Sequence, residues 1–197
     1  MKLLIATPLY PPDDGGPATY SKILETELPL RNIEVRIVSF GEVRKFPKLL
    51  RHLLYFVRLF QESYGVDAIL ALDPVSVGLP ATVVAMVRGK NIVVKIVGDY
   101  AWEQGKQRFE VKENLDDFVR NPSNKYLAQV GFLRMVQSFV ARRAVRIIVP
   151  SQYLKKIIGQ WKGVDGEKIS VIYNAFVADL PKETKEELRT IFGMSSP

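Results

Sequence analysis

Lys2 to Thr7 (KLLIAT) runs directly into Pro8 to Pro17 (PLYPPDDGGP), and Ala18 to Leu30 then reads as a helix with Pro17 suited to its first turn. The six-residue apolar run reads as a buried strand. The loop behind it holds Gly15 and Gly16, and the helix follows at once. A strand, a glycine-bearing loop and a helix in that order open an α/β unit, so the reading of the whole chain starts here.

Outward from this unit the alternation continues. Glu34 to Phe40 (EVRIVSF) is a second strand, and Pro47 to Ser63 is a helix with apolar residues at Leu49, Leu50, Leu53, Leu54, Val57 and Phe60. Ala68 to Leu72 is a short strand and Val77 to Arg88 a helix. Asn91 to Val97 (NIVVKIV) is a strand of the fully buried kind. Tyr126 to Arg143 is a long helix, Arg146 to Val149 a strand, Gln152 to Gln160 a helix, Lys168 to Tyr173 the last strand and Lys182 to Phe192 the last helix. Continuous Val/Ile-rich strands between helices predict a doubly wound, Rossmann-like parallel sheet with helices on both faces. Trp102 to Asn124 is polar with weak periodicity, and is expected to be a mobile excursion over the sheet's carboxyl edge.

A chain of 197 residues holds one domain with a sizeable core, and is short for two. The reading places that domain at 1–192, with 193–197 as the start of a linker to a further domain. Hydrophobic residues at 47% and charged residues at 25% exclude disorder for the bulk of the chain. Without cysteine there are no disulfides or thiolate metal sites, and with His52 as the only histidine a Ser-His-Asp triad lacks obvious material. No signal peptide is visible and no apolar stretch reaches the roughly 18 residues of a spanning helix, so a cytoplasmic protein is expected. The net charge of +7 suits an anionic partner, whether nucleic acid, membrane surface or phosphorylated ligand, or serves solubility alone.

Four segments at strand ends are candidates for chemistry. Gly15 and Gly16 let the backbone approach a ligand, and the helix behind them presents free N–H groups; a tight turn is the plain alternative. The loop is neither G-x-G-x-x-G nor a Walker A loop, and the second strand ends at Ser39-Phe40 rather than at an acidic residue. Both features count against a dinucleotide enzyme or a P-loop ATPase. Gly98-Asp99-Tyr100-Ala101-Trp102-Glu103 offers carboxylates and aromatic faces suited to a sugar, or an ordinary Gly-Asp turn. Ser151 suits an N-cap. Asn174 contacts a ligand or closes a turn.

Taken in order, PLYPPDDGGPATYS, DPVSVGLPATVVAMVRGKNIVVKIVGDYAWE, and IIVPSQYLKKIIGQW followed by ISVIYNAF resemble family-4-type retaining glycosyltransferases of the GT-B fold. ETKEELRTIFG resembles the segment that precedes the second domain of such enzymes. The resemblance implies the N-terminal, acceptor-binding half of a hexosyltransferase, with a nucleotide-sugar as co-substrate and no cofactor or obligatory metal. It puts donor-diphosphate or acceptor contacts on Gly15 and Gly16, and the reaction centre on Gly98, Asp99 and Tyr100. Asp99 is the catalytic candidate, with Ser151 and Asn174 as further substrate contacts. Many relatives carry histidine where this chain has Gly98. The donor-binding Arg/Lys pair and the paired glutamates belong to the second domain.

Val43 to Gln61 adds Arg44, Lys45, Lys48, Arg51 and Arg58 beside an apolar stripe. Lys48, Arg51, Tyr55 and Arg58 share one helix face. The expectation is that the leucine stripe meets the core and the basic face meets solvent or an anionic membrane, each cation there being worth about 1 kcal/mol. A lipid-linked acceptor at the cytoplasmic membrane face follows as the preferred partner. Nucleic acid is disfavoured for want of a recognised module. A stand-alone module binding a phospho-sugar or lipid is the alternative.

Overall fold

The computed structural model describes residues 1–120, 128–174 and 184–193, apart from the side chains at 48 and 49. Six strands form one sheet: β1 (Lys2–Thr7), β2 (Glu34–Ser39), β3 (Ala68–Ala71), β4 (Asn91–Lys95), β5 (Arg146–Val149) and β6 (Ile169–Val171). Their order is β2-β1-β3-β4-β5-β6, and every neighbouring pair is parallel. The helices are α1 (Gly16–Glu27), α2 (Lys48–Glu62), α3 (Gly78–Arg88), α4 (Tyr100–Arg108), α5 (Leu115–Arg120), α6 (Ala128–Arg143), α7 (Gln152–Ile158) and α8 (Lys185–Ile191). This is the doubly wound α/β fold expected. The expected starts of the long helix, at Tyr126, and of the last helix, at Lys182, lie outside the described residues, as does the segment 194–197.

Alternation along the strands divides the core in two. Leu4, Ala6, Ile69, Ala71, Ile92, Val94, Ile147 and Val149 face a large core shared with α2, α3, α6 and α7. Leu3, Ile5, Leu70 and Leu72 face a smaller core closed by Tyr20, Leu24 and Leu28 from α1 and its end. The two sides follow from the right-handedness of parallel crossovers: the chain leaves β1 toward β2 and later returns past it to β3. Among the described residues α1 covers its face of the sheet by itself, and Val97 and Ile172 near the β4 and β6 ends stay half exposed, at 51% and 49%.

The orientation of α2 departs in part from the expected one: Leu54 and Phe60 of the stripe pack against the core, but its other described members do not. Tyr55 and Leu59 are fully buried, whereas Leu50, Leu53 and Val57 are 43%, 59% and 42% exposed. Tyr55 turns inward because its ring packs edge-on against Phe40 at 5.1 Å and its hydroxyl donates to the Val38 carbonyl at 3.1 Å. A buried tyrosine needs such a partner, and the strand supplies it only on that side. Arg51 follows Tyr55 inward, its guanidinium 5.7 Å from the Phe40 ring.

The segment expected as a mobile excursion is also ordered differently. Its described part contains most of α4 and all of α5, with α4 packed against α6, and 121–124 lie outside the described residues. The signal was weak because the α4 contact uses small residues, Ala101 and Gly105, and a Cβ at Gly105 would stand 2.8 Å from Val111. Trp102 then donates from its indole nitrogen to the Glu113 carbonyl at 3.0 Å, tying the two helices together.

The rotation of α2 makes a contrast measurable by urea denaturation. Leu59→Ala is expected to cost about 2–5 kcal/mol, as for a buried leucine. Leu53→Lys is expected to stay within about 0.5 kcal/mol, as for an exposed position. Equal losses would mean that the helix sits the other way round.

Candidate ligand site at the carboxyl edge of the sheet

The winding direction reverses between β1 and β3, and in open α/β sheets the crevice beyond the carboxyl ends at such a point receives ligands. The loop after β1 borders that crevice. Tyr10 fastens it to α1 by donating to Glu25 at 2.5 Å. Gly15 is the N-cap of α1 with φ of +140°, a conformation that favours glycine, and a Cβ there would lie 3.0 Å from Leu9. No side chain caps this helix; Pro17 has no N–H and Thr19 N donates to the Gly15 carbonyl at 3.1 Å, which leaves Gly16 and Ala18 as the first-turn amides without an intrahelical partner. Nothing lies within 4 Å of where a Cβ of Gly16 would stand, so the backbone at Gly16 is open to a neighbour.

Below this turn lies a cavity of about 360 Å³, lined by Gly16, Thr19, Tyr20, Lys95, Val97 and Asn174 among others. It brings together two of the residues expected from sequence, Gly16 and Asn174. It adds one that the reading passed over inside NIVVKIV: Lys95 shares a strand face with Val93 and Val97, so it points under α1 with only 3% of its surface exposed. Its ammonium donates to Asn174 Oδ1 at 2.9 Å and lies 4.0 Å from the centre of the Tyr20 ring. Burial lowers its pKa from the ordinary lysine value. A single cation in a run of β-branched residues was the signal in the sequence.

The segment after β4 is built differently from the expectation. Asp99 is 1% exposed, and its carboxylate accepts from Trp102 N at 2.9 Å, Gln137 Nε2 at 3.0 Å and Trp161 Nε1 at 2.9 Å. Burial raises its pKa, against the lowering effect of these bonds. Asp99, expected as the catalytic residue, caps α4 and joins it to Gln137 of α6 and to Trp161 in the turn after α7, its oxygens turned inward. A Cβ at Gly98 would collide with Glu103 Oε1, so the Glu103 carboxylate fills the space that a side chain at position 98 would need. Burial first, then Asp99 and Asp73, raise the Glu103 pKa. Tyr100 lies apart from the α1 cavity, in an open depression with Arg108, Phe109 and Phe132 between α4 and α6.

Ser151 acts as the N-cap of α7, accepting from Leu154 N at 3.1 Å. Of the basic residues near α2, Arg44 pairs with Asp13 at 3.4 Å and Arg58 pairs with Glu42. Lys45 lies over the Phe46 ring at 5.5 Å, and the Lys48 side chain is outside the described ones. The expected free basic face is thus partly neutralised, and the exposed leucines are the more distinctive feature of that surface.

A doubly wound sheet with a ligand-sized cavity at its switch point defines an α/β domain of the ligand-binding kind. The chain belongs to Glycosyltransferase Family 4, whose profile matches residues 6–179. No curated protein sequence matches it. Among solved structures it is similar to UDP-GlcNAc 2-epimerase from Methanocaldococcus jannaschii, with TM-score 0.55 and 14% identity over 87% of this chain. At that identity the likeness shows a shared GT-B-type fold, and the chain spans 45% of the epimerase's length.

Two substitutions are expected to move stability in opposite directions. Asp99→Ala strands three donors and should cost about 3 kcal/mol in urea denaturation. Lys95→Met removes a buried cation and should raise the thermal midpoint by about 2–4 °C, the equivalent of about 1 kcal/mol in a domain of this size. The lowered lysine pKa makes the penalty of burying the charge full below the folded value, and it fades as pH rises toward the ordinary 10.5. The gap between wild type and Lys95→Met should therefore close at alkaline pH, and a gap that widens there would contradict this origin.

Proposed function

We propose that this chain is the acceptor-binding half of a retaining hexosyltransferase that uses a nucleotide-sugar as co-substrate and no further cofactor. Family membership supports glycosyl transfer. The observation that carries the finer reading is the cavity under the uncapped N-terminus of α1, with Gly16 and Asn174 in its wall. Backbone amides and a helix dipole suit negative charge, whether on a leaving diphosphate or on a phosphorylated acceptor. Glu103 contributes a carboxylate near the site where the family's histidine would stand.

The test uses the natural gene product that contains this chain. Incubation with a panel of UDP- and GDP-sugars and a lipid-linked acceptor should release the nucleoside diphosphate, with the product retaining the donor's anomeric configuration by NMR. Gly16→Val adds a side chain into open space, so the protein should melt normally. Its kcat/KM should fall at least about tenfold, the equivalent of 1.4 kcal/mol of lost transition-state binding. Unchanged kinetics would reduce the loop to a turn.

The acceptor is proposed to be lipid-linked and reached from the cytoplasmic face of a membrane. No helix among the described residues is long and apolar enough to cross one. The supporting observation is the outward ridge of Leu50, Leu53 and Val57 on α2, with Phe46 before it and Arg44, Lys45 and Arg58 close by in sequence. An apolar ridge among cations suits the interface of an anionic bilayer. Leu53→Asp combined with Leu50→Ser should abolish sedimentation with phosphatidylglycerol vesicles and leave the circular dichroism spectrum unchanged. Retained sedimentation would remove this surface from the reading.

A further inference from the structure

We propose that the groove between α4 and α6 is a saccharide subsite that selects an acceptor bearing a carboxylate, with Arg108 as the residue that reads the charge. The inference rests on the reading of this chain as an acceptor-binding half and adds the class of acceptor. The groove follows from helix geometry. Tyr100, Gln104 and Arg108 are spaced four residues apart along α4, so they stand one above another on a single face. Gln129 and Phe132, three apart on α6, stand across from them, and Phe109 at the end of α4 completes the walls. The space enclosed is about 550 Å³. Tyr100 opens α4 near the carboxyl end of β4, so the groove starts at that edge of the sheet and runs about 12 Å along the helix to Arg108.

The walls combine two kinds of group. Tyr100, Phe109 and Phe132 offer aromatic faces, and Phe132 keeps 55% of its surface exposed. α6 already seats Val136 and Val140 in the core, so Phe132 is surplus to its packing. Gln104 and Gln129 each offer an amide donor and acceptor, and Gln104 has only a 3.5 Å contact with Gln107. Aromatic faces for C–H surfaces and planar amides for hydroxyls suit a pyranose ring.

The charge narrows the class. Among the described residues Arg108 is the one charged group that lines the groove, and no described carboxylate pairs with it. Burial first, then Asp73, raises the Tyr100 pKa, and the Arg108 charge opposes the rise, so guanidinium and phenol act on the same space. A guanidinium holds a carboxylate through two parallel N–H···O bonds. One guanidinium balances one negative charge, and the lining holds no second cation for a doubly charged phosphate ester. A uronic acid, a pyranose with a single carboxylate, meets both the walls and the charge. Arg108 is exposed to solvent, so removing its charge leaves the fold intact and isolates binding from stability.

The experiment titrates the natural gene product that contains this chain with digalacturonic acid, with its neutral methyl ester and with galactose 6-phosphate, by isothermal calorimetry at constant ionic strength. Saturable binding of digalacturonate is expected. Esterification and Arg108→Gln should each weaken it about 10- to 100-fold, the worth of a hydrogen bond to a charged group. Phe132→Ser should weaken it too, with the fold verified by circular dichroism. Absence of saturable digalacturonate binding, equal binding of the ester, or unchanged affinity in Arg108→Gln overturns the proposal. Tighter binding of galactose 6-phosphate that depends on Arg108 overturns it as well, since the groove then reads phosphate. The titration needs no turnover. Failure of digalacturonate to bind while nucleoside diphosphate release persists therefore removes the acidic acceptor alone, and binding without any sugar transfer counts against the transferase reading alone.

Discussion

The handedness of parallel crossovers is the constraint on which this architecture rests. A strand that feeds a helix and returns parallel must cross to the right, so the direction of travel along the sheet decides which face each helix covers. Here one step goes from β1 to β2, and the later steps run from β3 toward β6. α1 is consequently set on the opposite face from α2, α3, α6 and α7. Its N-terminus comes to the carboxyl edge beside β1 and β3, and the lysine on the α1 side of β4 falls beneath it. The cavity is a by-product of winding, furnished by whichever side chains alternate onto that face.

The surroundings of the site divide the work between stability and ligand contact. Asp99 satisfies three donors from three parts of the chain and makes a rigid seat for α4. Lys95 lacks a comparable charged partner among the described residues. A group held at a cost in stability is the usual mark of a site tuned for something else. On the opposite layer, α2 directs three aliphatic side chains to solvent although it has a fully buried tyrosine to satisfy.

Much of the fold was legible because strands buried on both faces leave continuous apolar runs, and because helices between them fix a parallel sheet. Lys2 to Thr7 and Arg146 to Val149 were read with their observed bounds, and the other strands shifted by one or two residues at an end. The candidate site was legible only as a set of strand ends. Gly16 and Asn174 were found since turn residues mark the carboxyl edge, yet they are 158 positions apart and nothing local says that they share a cavity. Lys95 was missed because it sits in an apolar run whose composition says buried strand.

The sequence by itself determined the element order, the sheet's parallel character and the family resemblance, since these reside in local periodicity and in the succession of motifs. Tertiary structure alone decided direction. It turned Asp99 inward, because Gln137 from α6 and Trp161 from the turn after α7 arrive to bond it. It rotated α2 onto Tyr55, because the Val38 carbonyl and the Phe40 ring lie on that side. Helical periodicity identifies two faces of α2 that are both largely apolar; only the partner surface, assembled from residues far along the chain, selects which of them is buried.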